Sequence, residues 1–243
     1  MCTVTYLPVG EHHFILTSNR DETPERRAEM WQMEKTGAGE TIHYPRDPLK
    51  GGTWFGISDR GRVACLLNGA FEPFQQDPGY IKSRGAVIPD FFRHTVGSPW
   101  AKTADFSSIA PFTLVTFDGV ALSEVVWDGH EKHVRDLRME EPHIWSSVTL
   151  YPPRVRKWRE NLFLKWRKEN PAYTREAIIQ FHQSAGDGDS ENALVMNRRE
   201  RVKTLSITSI EVSLDGAALE HLNLDTQKRT SRHFHLHSIT PQP

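Results

Sequence analysis

The second residue of this chain is a cysteine, and the cluster Asn19-Arg20-Asp21-Glu22 follows it after two strand-length runs. Methionine aminopeptidases remove Met1 when a small residue stands behind it, and Cys2 then carries a thiol and a free α-amine on one residue. An α-amine has an unperturbed pKa of about 7.7–8.0, so it can take the proton of its own residue's thiol and act as general base. A guanidinium such as Arg20 favours thiolate, and a carboxylate such as Asp21 can hold the ammonium or orient the amine. The same residues also admit a purely structural reading. Cys2 would then be a small buried residue opening a strand, and Arg20 with Asp21 a paired strand end.

The flanking segments must bring these residues together. Thr3-Val4-Thr5-Tyr6-Leu7 and Phe14-Ile15-Leu16-Thr17 are β-branched and aromatic runs of strand length. Pro8 to His12 has turn chemistry between them, and a hairpin centred between Gly10 and Glu11 sets Cys2 opposite Asn19. A slip of one residue would exchange the faces. A second hairpin runs from Thr53-Trp54-Phe55-Gly56-Ile57 through Ser58-Asp59-Arg60-Gly61 to Arg62–Leu67, with Asn68 near Gly51 and Gly52.

These residues resemble the NRDE family, which includes the transport-and-Golgi-organisation protein 2 group. The resemblance lies in Met1-Cys2, Leu16 to Glu22, Gly51-Gly52-Thr53-Trp54-Phe55-Gly56, Leu67-Asn68 and Lys82-Ser83-Arg84-Gly85. The family is similar in turn to N-terminal nucleophile (Ntn) hydrolases of the choloylglycine hydrolase and penicillin V acylase type. The resemblance implies a single domain over residues 1–243, of class α+β, folded as a four-layer αββα sandwich with antiparallel sheets. It implies hydrolysis of a linear amide or related acyl bond without a cofactor or metal. Cys2 is then the nucleophile, Arg20 tunes the thiol and Asp21 holds the α-amine. Asn68 stands in a Leu-Asn context where those hydrolases place an oxyanion donor, though an Asx turn before Gly69 also explains it. Ser147 stands where they carry an asparagine, and serine still donates one hydrogen bond. Their later active-site arginine matches Arg198, Arg199 or Arg201. On the substrate side the candidates are Asn19, Gly52, Trp54 and Phe55; Gly52 either admits close backbone approach or serves its turn. The family's links to haem trafficking and to lipid or acyl-CoA handling imply the alternative of a non-catalytic carrier.

Composition narrows the classes. The chain has 243 residues, 30 basic against 31 acidic side chains and a formal net charge of −1. That balance names neither nucleic acid nor another charged partner. A small-molecule amide or acyl ligand, or haem, is the expected partner. Two cysteines, Cys2 and Cys65, make no disulfide framework; Cys65, in an apolar run, reads as core. The absence of a charged and apolar leader or a membrane-length run leads to the expectation of a cytoplasmic protein without integral membrane contact. The seven tryptophans and twelve phenylalanines suit a core or an apolar pocket.

Further along, Ser83–His94 reads as a short helix bent or broken at Pro89. Asp118-Gly119 and Asp128-Gly129 mark reversals between strands. Pro153 opens a helix to about Glu169, Thr174 caps another to about Gln183, and strands are expected at 193–197, 202–211 and near the C-terminus. His233, His235 and His237 alternate as on a strand, a pattern that fits a metal or haem site or an exposed edge. Strands, then helices, then strands again is an α+β order and not an alternating Rossmann one.

Overall fold

The computed structural model describes residues 3–28, 31–37, 39–74, 77–96 and 98–237. Met1 and Cys2 lie outside the described residues. The strands are β1 (Thr3–Gly10), β2 (His13–Glu22), β3 (Trp31–Lys35), β4 (Thr41–Pro45), β5 (Phe55–Ser58), β6 (Val63–Asn68) and β7 (Phe112–Phe117). They continue with β8 (Leu122–Trp127), β9 (Lys132–Leu137), β10 (His143–Ser146), β11 (Asn197–Arg198), β12 (Val202–Ser213), β13 (Gly216–Asn223) and β14 (Arg229–Phe234). The helices are α1 (Val87–Arg93), α2 (Trp100–Thr103), α3 (Pro153–Glu169) and α4 (Arg175–Ser184).

The chain divides into two units. The first contains Met1–Arg27 and Glu140–Phe234, the second Ala28–Met139 and His235–Pro243. The first is built on a sheet of order β10-β1-β2-β12-β13-β14, with β11 paired to β12. Helices α3 and α4 cover one face. Leu7 and Ile15 from the sheet pack there with Phe163, Ile178, Phe181 and Leu194. Burying each such side chain contributes about 1.5–3 kcal/mol. The second unit is a meander, β3-β4-β5-β6-β7-β8-β9. Its core joins Ala64, Leu66 and Leu114 of the sheet to Phe91 and Phe92 of α1 and Trp100 of α2. Among the described residues the paired strands are all antiparallel.

Local signals act where the sequence puts them. Pro153 takes the first position of α3, where its missing N–H has no intrahelical acceptor to lose. Thr174 caps α4, its Oγ1 accepting from the Ala177 N–H at 3.2 Å. Asp118 Oδ1 accepts from the amides of Val120 and Ala121 at 2.9 and 2.8 Å. Asp128 repeats the arrangement with His130 and Glu131, both at 2.8 Å.

Four expectations need correction. The first hairpin is shifted by one residue, so that Thr3 and not Cys2 stands opposite Asn19. Its turn is centred on Glu11-His12, with His12 at φ 52°, and an irregularity between Pro8 and Gly10 moves the register of the outer rungs. The second hairpin closes through three residues between Ser58 and Arg62, with Gly61 at φ 75° as its left-handed position, and pairs Phe55 with Cys65. Pro89 does not break its helix. A 3-10 turn over Arg84–Ala86 leads into α1, and Pro89 sits in the first turn of α1, where no intrahelical bond is lost by its lack of an N–H. The strand expected at 193–197 is reduced to Asn197–Arg198, because Leu194 and Met196 bond instead to Ala185 and Thr204. In addition, β14 ends at Phe234, so the histidine alternation does not continue through His237.

Candidate active site

Three strand ends meet at the beginning of β1. Thr3 is flanked by Asn19 of β2 on one side and Ser146 of β10 on the other. The strand period then divides the cluster between faces. Asn19 and Asp21 point toward α3 and α4, and Arg20 points to the opposite face.

Asn19 is fully buried and its amide is saturated by the protein. Its Nδ2 donates to the carbonyls of Leu194 at 2.6 Å and His182 at 3.2 Å, and its Oδ1 meets His182 Nδ1. An oxygen that only accepts requires the hydrogen on His182 Nδ1, so His182 Nε2 accepts from the Thr5 hydroxyl at 2.8 Å. Burial, followed by the charge of Arg159, holds the His182 pKa down at about 3. The imidazole is a neutral strut between α4 and the first two strands. In this geometry Asn19, expected on the substrate side, ties the sheet to its helix.

Asp21 is 2% exposed and anchored from two sides. Tyr151 donates to Oδ2 at 2.6 Å and Thr204 to Oδ1 at 2.5 Å. Arg20, 3% exposed, donates to the Arg26 carbonyl. Glu22 pairs with Arg26 and accepts from the Thr23 N–H at 3.0 Å. Ser147 follows β10, buried, with its hydroxyl 2.9 Å from that of Thr149 and its carbonyl accepting from Tyr151 N–H at 3.1 Å. The first unit therefore gathers Asn19, Arg20, Asp21 and Ser147 around the end of β1 that follows Cys2.

Besides Tyr151 and Thr204, two further residues of this neighbourhood were not singled out from sequence. Arg159 lies in α3 with no exposed surface; it donates to Thr3 Oγ1 at 2.5 Å, to Ala193 O at 2.6 Å and to Asn192 O at 3.0 Å. Its guanidinium carbon lies 3.6 Å from the centroid of the Tyr151 ring. Among the described residues no carboxylate pairs with it. His182 is the second. Each had a signal: Arg159 interrupts the buried stripe Val155–Arg159–Phe163 at intervals of four, and His182 follows the buried Ile178, Ile179 and Phe181. Of the candidates for a later arginine, Arg198 reaches this neighbourhood, donating to Leu150 O at 3.0 Å with its guanidinium carbon 5.2 Å from the Tyr151 centroid.

The other candidates belong to the second unit. Asn68 ends β6 opposite Phe112, and the Gly69 N–H goes to Pro111 O at 3.0 Å. Gly52 lies against Gly85: a Cβ on Gly52 would stand 2.9 Å from Gly85 Cα, and one on Gly85 would stand 2.8 Å from Thr53 N. The glycines of the Gly51-Gly52-Thr53-Trp54 and Lys82-Ser83-Arg84-Gly85 segments are thus matched by backbone contact. Trp54 and Phe55 are buried, and Cys65 is fully buried in β6, in keeping with a core role. Among the described residues no helix is long and apolar enough to cross a membrane. Nor is any group of three or more His, Cys, Asp or Glu side chains there placed to hold a metal ion.

Comparison with solved structures shows the fold. The Caenorhabditis elegans N-acylethanolamine-hydrolyzing acid amidase ortholog superposes with a TM-score of 0.52 at 10% identity, covering 86% of this chain and 92% of that one. A conjugated bile acid hydrolase from Clostridium perfringens gives 0.47 at 7% identity, covering 100% of this chain and 99% of that chain. A second variant of that hydrolase gives 0.46 at 9% identity, covering 99% of both chains. No curated protein matches the chain by sequence. The fold is α+β with two antiparallel sheets, as in Ntn hydrolases. The family model for Transport and Golgi organisation 2 matches residues 1–215, and the chain belongs to that family.

Proposed function

We propose that the chain is an Ntn-type hydrolase of a linear amide or related acyl bond, with Cys2 as nucleophile once Met1 is removed. The observation that carries this reading is the buried Asp21 carboxylate, held by Tyr151 and Thr204 beside the end of β1, one residue along the chain from Cys2. With both oxygens anchored, the carboxylate is a fixed acceptor suited to orient an N-terminal amine. The fold shared with an N-acylethanolamine-hydrolyzing acid amidase ortholog makes an N-acyl amide the reasonable substrate class.

In this mechanism the Cys2 thiol gives its proton to its own α-amine, and the thiolate attacks the amide carbonyl carbon. The ammonium protonates the leaving nitrogen as the C–N bond breaks, leaving a thioester. Water, deprotonated by the same amine, then hydrolyses the thioester and restores the thiol. Arg20 favours the thiolate, Asp21 orients the amine, and no cofactor enters. Ser147 supplies a hydroxyl where related hydrolases use an amide.

The test is a panel of N-acyl amides assayed beside haem and acyl-CoA titrations, on wild type and Cys2→Ala, with intact mass confirming Met1 removal. Turnover that disappears in Cys2→Ala while binding persists supports the hydrolase. Absence of turnover, with tight haem or acyl-CoA binding that survives the substitution, identifies a carrier instead.

A further inference from the structure

Arg159 is a fully buried guanidinium whose partners among the described residues are all neutral: one hydroxyl, two backbone carbonyls and the face of Tyr151. A buried cation without a paired anion is expensive, and three strong hydrogen bonds with a π face offset part of that cost. The position of those bonds carries the argument. One ends on Thr3, the residue bonded to Cys2. The π contact ends on Tyr151, whose hydroxyl holds Asp21 at 2.6 Å.

We propose that Arg159 is a positioning residue for the Cys2 nucleophile. From α3 it holds the start of β1 through the Thr3 hydroxyl and orients the Asp21 carboxylate through Tyr151. The proposal rests on the hydrolase reading above. The two anchors have no connection in sequence, and the planar fork of arginine reaches both at once; an ammonium on a flexible stem lacks that geometry. The charged and titratable groups around the fork are Asp21 from β2, His182 from α4, Arg198 from β11 and Tyr151. Asp21 is the anion among them, and His182 is held neutral. With Arg159 in place the neighbourhood carries excess positive charge, which favours the thiolate and the neutral amine of Cys2. Without it, Asp21 is free to shift and the excess is lost.

The experiment is the pH profile of iodoacetamide labelling at Cys2, with buried Cys65 as internal reference, in Met1-processed protein. Wild type, Arg159→Met, Arg159→Lys and Thr3→Val are compared, each shown to be folded by circular dichroism and thermal melting. In Arg159→Met the labelling midpoint rises by about one pH unit, which is about a tenfold slower reaction at neutral pH. Arg159→Lys recovers part of the rate. Thr3→Val, which removes the acceptor without touching the arginine, slows labelling about threefold or more, and it carries the test if Arg159→Met does not fold. A wild-type profile in which Cys2 reacts no faster than Cys65 overturns the hydrolase reading and this inference with it. A tuned wild-type Cys2 whose profile is unmoved in the folded variants overturns this inference alone.

Discussion

Tyr151 donates its phenolic hydrogen to Asp21 at 2.6 Å across 130 positions of sequence, and both side chains are buried. The bond joins the loop between β10 and α3 to the end of β2. It also explains why a carboxylate tolerates that depth: each of its oxygens accepts a short hydrogen bond, from Tyr151 and from Thr204.

Tyr151→Phe keeps the ring beneath Arg159 and removes the donor. We expect a stability loss of about 1.5–3 kcal/mol, the range for a hydrogen bond to a charged group. Urea unfolding checks this as a fall in midpoint at constant slope. An unchanged midpoint would show that the bond contributes nothing net.

Acid sensitivity should follow from two histidines, His182 fully buried and His221 half-buried. Burial and the charge of Arg159 push His182 down to about 3, while burial and the charge of Arg20 push His221 down to about 4. In the unfolded chain both titrate near about 6.5. Below that pH the unfolded state takes up protons that the native state refuses, so stability falls as pH drops toward the folded values and is complete above about 6.5. Each group contributes up to about 1.4 kcal/mol per pH unit in that window. Urea midpoints between pH 7.5 and 5 should therefore fall less steeply in His182→Gln, and separately in His221→Gln, than in wild type. Parallel slopes for all three proteins reject the assignment.

The glycine pair of the second unit allows a clean comparison. Gly52→Ala drives a methyl into the Gly85 backbone and should cost about 1–3 kcal/mol through overpacking. Gly51→Ala meets Arg46 Nη2 at 3.7 Å but must hold φ at 68°, a strain of about 1 kcal/mol. Thermal melts should rank Gly52→Ala as the less stable; the reverse order would mean the backbone contact yields easily.

Arg62 and Glu40, each 1% exposed, form an ion pair at 2.9 Å, and Arg62 also donates to the Phe91 and His94 carbonyls at the end of α1. Glu40→Ala leaves that guanidinium buried with two carbonyls and the Phe91 and Phe92 rings but no anion, and should cost about 3–5 kcal/mol. The double variant Glu40→Gln/Arg62→Met should recover part of the loss. A double variant less stable than Glu40→Ala would contradict a penalty arising from the unpaired charge.

Turns, caps and helix starts were legible because their causes act over three or four residues. Asp118 and Asp128 bind amides within their own turns, Thr174 binds Ala177, and Pro153 needs no partner at all. The Asn19–Glu22 cluster was likewise visible as residue types at the end of a strand, and it is the end of β2. Register was harder. An irregularity near Val9 and a left-handed His12 shift the β1–β2 pairing by one residue from the one implied by a turn centred between Gly10 and Glu11.

By itself the sequence determined the class of this protein: antiparallel strands around a central helical run, and an N-terminal cysteine motif. These follow from local propensity and residue chemistry. Tertiary structure alone decided what surrounds Asp21 and Thr3. No spacing along the chain links Arg159 to Thr3 or His182 to Asn19. Those contacts exist because α3 and α4 dock a particular face on the first sheet, and docking is chosen by the summed burial of side chains such as Phe163 and Phe181. The same packing that buries the phenylalanines carries a cation and a neutral imidazole to the strand ends beside the cluster.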